Sequence, residues 1–197
     1  MDKIISEPFR FVDTLEKRQH IALFYEDPEY ARLIEFRFLR HGLELGEQCV
    51  YATDQDSGSI ILKMLTYGIP MRHFQDGSMK VYQIHRACGG PREIMENCKK
   101  DIGMILADLR SPFRMVSRIV HDVSTMDGMS VELELERSTH QFFDGFGGTL
   151  ICPYYISKME PSRKKKWLEE LRANHHSAIY APRFGEGHVV MLQDFEK

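Results

Sequence analysis

The sequence predicts an α/β domain with a mainly parallel sheet, helices on both faces of the sheet and a C-terminal β-hairpin. Short apolar segments alternate along the chain with amphipathic stretches long enough to be crossover helices, which parallel strands require. Parallel strands that are buried on both faces are continuously apolar, as the segment IALFY is. A Gly-Glu-Gly turn near the C terminus lies between two extended segments and predicts the hairpin.

Capping residues and apolar runs define the elements in the first half of the chain. After a polar leader, residues 1–19, the run IALFY predicts the first strand. Asp27-Pro28 starts a helix that ends at Gly46, because Asp is a favourable N-cap and Pro fits the first helical turn. In order follow a strand in EQCVYATD, a helix in SGSIILKML, a strand over Met79–His85, and a helix that opens at Cys88-Gly89-Gly90-Pro91 and ends near Leu109.

The second half of the chain continues the same alternation. It predicts a strand in FRMVSRIVHD, a helix in MSVELELERSTHQFFDGF, a strand in TLICPYY, a basic helix over Ser162–Ala173 and a strand in HSAIYAP. The final segment, RFGEGHVVMLQDF, contains the turn of the hairpin that closes one edge of the sheet.

The glutamate-rich segment of the second half permits two assignments. Glu132, Glu134 and Glu136 alternate with apolar residues, which alone would permit a strand, but the following ERSTHQFFDGF favours a helix. We expect this charge run to form a solvated face, since a buried Glu136 would need a partner such as an Arg or a backbone donor. The predicted core stripe of the helix is Leu135, Thr139, Phe142 and Phe146.

Composition narrows both the domain organisation and the classes of function. The 197 residues fit a single domain, residues 20–197 after the leader, and 43% hydrophobic residues supply a sizeable core. A net charge of -3 gives no global field towards nucleic acid or membrane. The four cysteines lie far apart without a CxxC pair, and no signal peptide or long apolar run is present. We therefore expect a reduced cytoplasmic protein without disulfides, cofactor or bound metal.

The turn after the first strand differs from a phosphate-binding turn. In nucleotide-binding α/β proteins this turn offers glycines, whose backbone N–H groups converge on the phosphates, and a lysine. Here the turn is Tyr25-Glu26-Asp27-Pro28, with two carboxylates and no glycine. Asp27 is expected as the helix N-cap, and Glu26 would repel a phosphate. The sequence therefore predicts that this turn binds no nucleotide in the usual manner.

The segments GLELGEQCVYATDQDS and GIPMRHFQDGSMKVYQI carry a resemblance to a known fold. An apolar helix, GEQCVY, a polar turn and a second helix follow one another as in the second βα unit of RecA/KaiC-like ATPase domains, which this chain resembles. SRIVHDVST is similar to their Walker B strand, with Asp122 in the place of the metal-associated acid. Asp54 lies where KaiC-like proteins carry an acid at the end of the strand. The resemblance implies a RecA/KaiC-like sheet, but the Walker A motif GxxxxGK[ST] is absent from the sequence.

A second resemblance accounts for the missing Walker A motif. The chain contains, in order, HIALFYED, GEQCVY, a helix with Glu136 and the strand segment Cys152-Pro153-Tyr154. This order is similar to that of the MEDS family, the methanogen/methylotroph DcmR-type sensory domain, and the resemblance covers roughly His20 to Pro182. The chain departs from the family at Asp122-Val123-Ser124-Thr125, where family members often have a Trp after an acid-Met-Ser segment.

The resemblance implies a sensory, ligand-binding role, proposed for small organic molecules, without established catalytic activity. Parallel α/β sheets open their ligand crevice at the carboxyl ends of the strands. The ligand-binding candidates at these ends are Tyr25, Glu26, Asp54, Asp122 and Tyr154. A divergent RecA/KaiC-like nucleotide-binding ATPase and a protein-interaction scaffold are the alternatives.

Several polar residues also have purely structural explanations. Asp54 and Asp122 can cap helices or accept hydrogen bonds from nearby backbone N–H groups. His175-His176 does not suit a metal ion, because neighbouring positions rarely converge on one ion and no third ligand has suitable local spacing. Cys152 is expected as a small buried hydrophobic residue.

Any signal is expected to leave this domain through contact with another chain. Sensory domains of this kind are commonly joined to a DNA-binding or kinase segment, and the sequence as given leaves no residues for one. The strand in GHVVMLQDF would present an edge for pairing unless it is covered. We therefore expect a homodimer or a complex with a signalling partner, and no direct contact with nucleic acid or membrane.

Overall fold

Seven strands form one sheet in a computed structural model of the protein, which describes residues 5–16, 18–84, 89–119 and 123–192. The strands are β1 (His20–Tyr25), β2 (Gln48–Thr53), β3 (Met79–Gln83), β4 (Phe113–Arg118), β5 (Gly148–Tyr155), β6 (Ser177–Ala181) and β7 (His188–Met191). The α-helices of these ranges are α1 (Glu7–Asp13), α2 (Pro28–Glu44), α3 (Ser57–Thr66), α4 (Arg72–Gln75), α5 (Pro91–Ala107), α6 (Met126–Gln141) and α7 (Pro161–Ala173).

The order of the strands confirms the predicted fold class. Across the sheet the order is β3-β2-β4-β5-β1-β6-β7, and all neighbours are parallel except the antiparallel pair β6 and β7. β1 therefore lies inside the sheet, between β5 and β6. The last two strands form the expected C-terminal hairpin, whose turn passes through Gly185 and Gly187, both with positive φ.

Two hydrophobic cores lie on opposite faces of the sheet, because successive side chains of a strand point in opposite directions. Ile21, Leu23 and Tyr25 of β1 contribute to the core under α1, α2 and α3, which we call the α2 face. Ala22 and Phe24 contribute to the core under α5, α6 and α7, which we call the α6 face. None of the helices in the described ranges is long and apolar enough to cross a bilayer.

The leader contains a helix that packs onto the domain. Val12 of α1 and Leu15 after it are buried in the core of the α2 face. Asp13 accepts two hydrogen bonds from Arg37 of α2, from Nε and Nη2 at 2.6 Å each. Glu7 accepts a hydrogen bond from the backbone N–H of Val189, so α1 also contacts the edge strand β7.

Two expectations for the glutamate-rich helix were wrong. Glu132 and Glu136 are buried rather than on a solvated face, since α6 turns both towards the sheet. Phe142 is 71% exposed and does not belong to the core stripe. The reason is that α6 ends at Gln141, and a 3-10 turn over Phe143–Gly145 follows, so the helical period no longer holds and Phe143 is buried in place of Phe142.

Candidate functional site

The structure places the predicted ligand residues around the carboxyl ends of the strands, but on both faces of the sheet. Tyr25 and Glu26 lie at the end of β1, Asp54 directly follows β2, and Tyr154 lies near the end of β5. Tyr25 belongs to the α2 face and Tyr154 to the α6 face, so these two side chains are separated by the sheet. Asp122 lies outside the described residues. A ligand contact of any of these residues stays a prediction.

The turn after β1 is occupied by its own side chains. Asp27 is the N-cap of α2, as predicted, and its Oδ1 accepts hydrogen bonds from the N–H groups of Glu29 and Tyr30 at 3.0 and 3.2 Å. Tyr25 stacks on Tyr155 with ring centroids 5.3 Å apart. Glu26 is exposed, with its carboxylate 3.9 Å from Lys164 Nζ. The amides that would hold a phosphate therefore already have an anionic partner.

We expect ATP with magnesium to give no saturable heat when it is titrated into the protein by calorimetry. The reason is that Asp27 caps α2 and that Glu26 adds negative charge where a phosphate would lie. Binding of ATP at micromolar strength, abolished by Glu26→Gln or Tyr25→Ala but not by a change at the distant Glu44, would contradict this expectation.

A buried ion pair lies behind Tyr25 on the α2 face. Arg118 of β4 donates to both carboxylate oxygens of Glu35, from Nε at 3.0 Å and from Nη2 at 2.5 Å. Tyr51 donates its hydroxyl to Glu35 at 2.8 Å, and Nη1 of Arg118 donates to the hydroxyl of Tyr25 at 3.1 Å. Each oxygen of the Glu35 carboxylate thus has a donor, so we assign this network to the stability of the fold.

Tyr154 leads to a second buried cluster, on the α6 face. Its hydroxyl donates to Oε1 of Glu136 at 2.5 Å. The other carboxylate oxygen, Oε2, lies 2.9 Å from Nε2 of His20 and 3.3 Å from Nε2 of His175. Nε2 of His20 is also 3.5 Å from Sγ of Cys152. His20, Glu136, Cys152 and His175 are all buried, and we call these four residues the α6-face cluster.

Four separate elements supply the α6-face cluster. His20 begins β1 and Cys152 lies in the middle of β5, and the register of these strands pairs Ala22 with Cys152. Glu136 projects from α6, and His175 lies two residues after the end of α7. Because Cys152 lies on the same face of β5 as Tyr154, the strand presents a thiol and a hydroxyl to one carboxylate.

His176 does not point into the cluster but fixes the start of β1. The backbone N–H of His20 donates to Nδ1 of His176 at 3.0 Å. The backbone N–H of His176 donates to the carbonyl of His20 at 2.7 Å. Phe143 stacks on the ring of His20, with centroids 5.5 Å apart, so an aromatic wall closes this side of the cluster.

Burial dominates the protonation of the cluster. It lowers the pKa of His175 to about 3 and raises the pKa of the Cys152 thiol well above its ordinary value. Burial alone would also raise the pKa of Glu136, but the nearby histidines and the contacts with His20 and Tyr154 outweigh this effect, so the pKa of Glu136 lies below its ordinary value. A neutral His175 adds no positive charge at neutral pH, and the ionised Glu136 then depends on Tyr154 and His20.

A small cavity adjoins the α6-face cluster. It has a volume of about 30 Å³ and lies between β4, β5, α5 and α6. Glu136 and Cys152 belong to its wall, together with Ser117 near the end of β4. The remaining lining side chains, most of them apolar, are Ile102, Met115, Ile119, Glu132, Leu135, Thr139, Phe146 and Leu150.

The structure brings together residues that were expected to have different roles. Cys152 is buried as expected, but it contacts a histidine and does not serve only as a hydrophobic residue. Among the residues that the structure describes, the partners of the buried Glu136 are His20, His175 and Tyr154, not an Arg or a backbone donor. His20, Glu136, Cys152 and Tyr154 all lie in the segments that carry the family resemblance, so that resemblance was the available signal.

Comparison with solved structures finds the same fold in other proteins. A KaiC-like protein, PH0186, from Pyrococcus horikoshii OT3 matches with a TM-score of 0.59 at 12% identity, over 88% of this chain and 77% of that chain. The flagellar accessory protein FlaH from Methanocaldococcus jannaschii matches with a TM-score of 0.53 at 13% identity, over 89% and 72% of the two chains. A third solved structure, of an ATPase domain, matches with a TM-score of 0.51 at 4% identity, over 84% and 70%.

Comparison of the sequence with protein families gives a more specific result. No curated protein matches the chain significantly. The model of one family, described as the methanogen/methylotroph DcmR sensory domain, matches residues 19–176, a segment that contains every member of the α6-face cluster. The match covers most of the chain and agrees with the KaiC-like and RecA-like fold. The chain therefore belongs to the MEDS family of sensory domains.

Proposed function

We propose that this sensory domain is a non-catalytic module that binds a small organic molecule in the cavity beside the α6-face cluster. The observation that carries the proposal is the combination of a mostly apolar wall with a few polar groups, which is the usual composition of small-molecule sites. Ser117 and Ile119, which lie at and just beyond the carboxyl end of β4, bring the cavity to the edge of the sheet where such folds bind ligands.

The chemistry of the wall favours binding over catalysis. Burial raises the pKa of Cys152 well above its ordinary value, so its thiol carries its proton at neutral pH and is a poor nucleophile. Glu136 already accepts a hydrogen bond from Tyr154 and contacts two histidines. Its remaining capacity is to accept a hydrogen bond from a ligand, which suits a hydroxyl or amino group on a short apolar body.

The size of the cavity limits the size of the ligand. A buried water needs about 10–15 Å³ of comparable volume, so a cavity of about 30 Å³ accommodates two or three non-hydrogen atoms. The best small ligands gain at most about 1.5 kcal/mol per non-hydrogen atom. A ligand of this size therefore binds with a Kd of about a millimolar or weaker. Alcohols with one or two carbon atoms fit both limits.

The position of the cavity supports a route for the signal. α6 carries Glu136 and Leu135, which line the cavity, and it also packs against α5 and α7. A ligand shifts the position of a helix only if its affinity for the conformation with one helix position is higher than its affinity for the other conformation. Because the cavity lies directly under α6, occupancy acts on the helix whose exposed residues are available to a partner or to a second copy of this chain.

Filling the cavity should abolish ligand binding. With methyl-labelled methionine, we expect methanol or ethanol to shift the Met115 signal saturably in the millimolar range, because Met115 lines the cavity. The exposed Met191 should show no saturable shift. Ser117→Leu should remove the Met115 response, whereas Ser130→Leu, the same change on the exposed side of α6, should retain it.

Two results would contradict the proposed function. One is an equal response of Met115 and Met191, which would indicate a general solvent effect. The other is a Met115 response that survives Ser117→Leu in a folded variant. A saturable response to ATP and none to the alcohols would instead favour the ATPase alternative, and no response to either would favour a scaffold.

A further inference from the structure

We infer that His20, Glu136, Cys152 and His175 form a tetrahedral site for a transition-metal dication, with Zn²⁺ as the best match. The inference does not depend on the proposed ligand of the cavity. Each of the four residues offers one donor atom, and the four atoms lie within 4.8 Å of one another. The expectation that no third ligand has suitable local spacing considered only the sequence around His175, whereas these co-ligands come from distant parts of the chain.

Of the six distances between the donor atoms, two match those around one metal ion, one is shorter, and the others lie within 4.8 Å. Around tetrahedral zinc, bond lengths of about 2.0–2.3 Å place two nitrogen or oxygen donors about 3.3 Å apart, and a nitrogen and a sulfur donor about 3.6 Å apart. Nε2 of His175 is 3.3 Å from Oε2 of Glu136, and Nε2 of His20 is 3.5 Å from Sγ of Cys152. The pair His20 Nε2 and Glu136 Oε2 is closer, at 2.9 Å. Side-chain shifts of up to about an ångström, which bring the wider donor pairs within these distances, would complete the coordination.

The hydrogen bonds of His175 direct a lone pair into the cluster. Its Nδ1 lies 2.6 Å from the carbonyl oxygen of Leu171, and a carbonyl only accepts, so Nδ1 carries the hydrogen. In the neutral ring Nε2 is then an acceptor, and it faces a carboxylate oxygen, which is also an acceptor. A cation between the two atoms turns this repulsion into attraction. A backbone carbonyl on the outer nitrogen is also the usual way in which proteins orient a metal-binding histidine.

Two buried polar atoms that face each other in the cluster have no hydrogen-bond partner among the described residues. Oε2 of Glu136 lies 2.9 Å from Nε2 of His20 and 3.3 Å from Nε2 of His175, but neither alignment gives a hydrogen bond. Buried polar atoms without partners are rare, and each one requires a cause. One metal ion coordinated by both atoms would explain why neither of them has a hydrogen-bond partner.

The charge and donor types of the cluster select the class of metal. A Cys152 thiolate and the Glu136 carboxylate carry two negative charges, and two neutral histidines carry none, so a dication makes the buried site neutral. Binding releases the thiol proton to solvent. Nitrogen and sulfur donors suit Zn²⁺ and its neighbours in the transition series, whereas Mg²⁺ and Ca²⁺ require oxygen ligands.

The inference is tested on the full chain, refolded with one equivalent of Zn²⁺ or Co²⁺ after treatment with a chelator. We expect one zinc per chain after gel filtration, and for Co²⁺ the visible bands of a tetrahedral site with a near-ultraviolet thiolate band. Cys152→Ser should remove the thiolate band, and His175→Asn should weaken binding at least about 100-fold. Two matched controls, Cys98→Ser and His176→Asn, change a buried cysteine and a neighbouring histidine outside the cluster, and should keep the thiolate band.

An experiment on the unchanged protein avoids variants that fail to fold. X-ray absorption at the zinc edge should show one sulfur at about 2.3 Å and nitrogen or oxygen ligands at about 2.0–2.1 Å. A shell without sulfur would overturn the inference, as would a folded protein that retains no zinc after gel filtration. Loss of the thiolate band in Cys98→Ser but not in Cys152→Ser would also overturn it.

Discussion

Arg118→Met should lower the free energy of unfolding by about 3–5 kcal/mol, because it leaves the charge of Glu35 buried without its cationic partner. The Glu35 side chain is completely buried, and the Arg118 side chain is only 13% exposed. The hydroxyl of Tyr51 remains as a donor to Glu35, but one hydroxyl does not replace a bidentate guanidinium. Urea unfolding at neutral pH, followed by circular dichroism, measures the loss.

The control for this prediction is a second bidentate arginine–carboxylate pair, which lies at the surface. Arg37 also donates twice to one carboxylate, that of Asp13, but the two side chains are 40% and 31% exposed. Arg37→Met should therefore cost only about 0–1 kcal/mol. The double variant Arg118→Met/Glu35→Gln should recover much of the loss, since both charges are then absent. If the double variant is as unstable as the single one, lost packing and not the buried charge is the cause.

Acidification from pH 7 to pH 5 should lower the free energy of unfolding of the metal-free protein by about 3 kcal/mol. Burial lowers the pKa of His175 to about 3 and the pKa of His176 to about 4, whereas a histidine of the unfolded chain titrates near its ordinary value of about 6.5. Below pH 6.5 the unfolded chain binds protons that the folded chain does not bind, so stability falls as the pH falls. The fully buried His175 contributes about 2 kcal/mol by pH 5, and the half-buried His176 contributes about 1 kcal/mol, because solvent screens its interactions.

Substitution separates these two histidines from other titrating groups. The range above pH 5 excludes most carboxyl groups, including Glu136, whose pKa lies below its ordinary value. His175→Asn should remove the largest single share of the pH dependence, although burial also lowers the pKa of His176 and His140. His188→Asn, a change at the exposed edge strand β7, should leave it intact. Equal pH dependence of the parent protein and His175→Asn in urea unfolding would contradict the assignment.

The sequence predicted the ends of helices and strands well where these ends depend on contacts between residues close together in the chain. Asp27-Pro28 fixes the start of α2, because the capping hydrogen bonds connect residues two and three positions apart. Phe142 was assigned to the core wrongly because the end of α6 and the 3-10 turn after it depend on how the following strand enters the sheet. A helical period alone does not contain that information.

The candidate site required information that no local pattern holds. The position of Tyr25 and Tyr154 near strand ends followed from the sequence, but their placement on opposite faces depends on which residues of β1 and β5 pair. No partner for Glu136 was recognisable in its own segment of the sequence. A solvated Glu136 was therefore preferred over a buried one in the prediction. His175 was compared only with its neighbour His176, whereas its contacts come from β1, β5 and α6.

The origin of the α6-face cluster in distant segments has a consequence for folding kinetics. Cys152 and His20 are 132 positions apart, so their contact forms only after a long loop has closed and β1 has paired with β5. A metal ion or other occupant of the cluster therefore finds no assembled site in the unfolded chain and does not accelerate the early steps of folding. Its stabilisation acts on contacts that form late, so it slows unfolding and lengthens the lifetime of the native state.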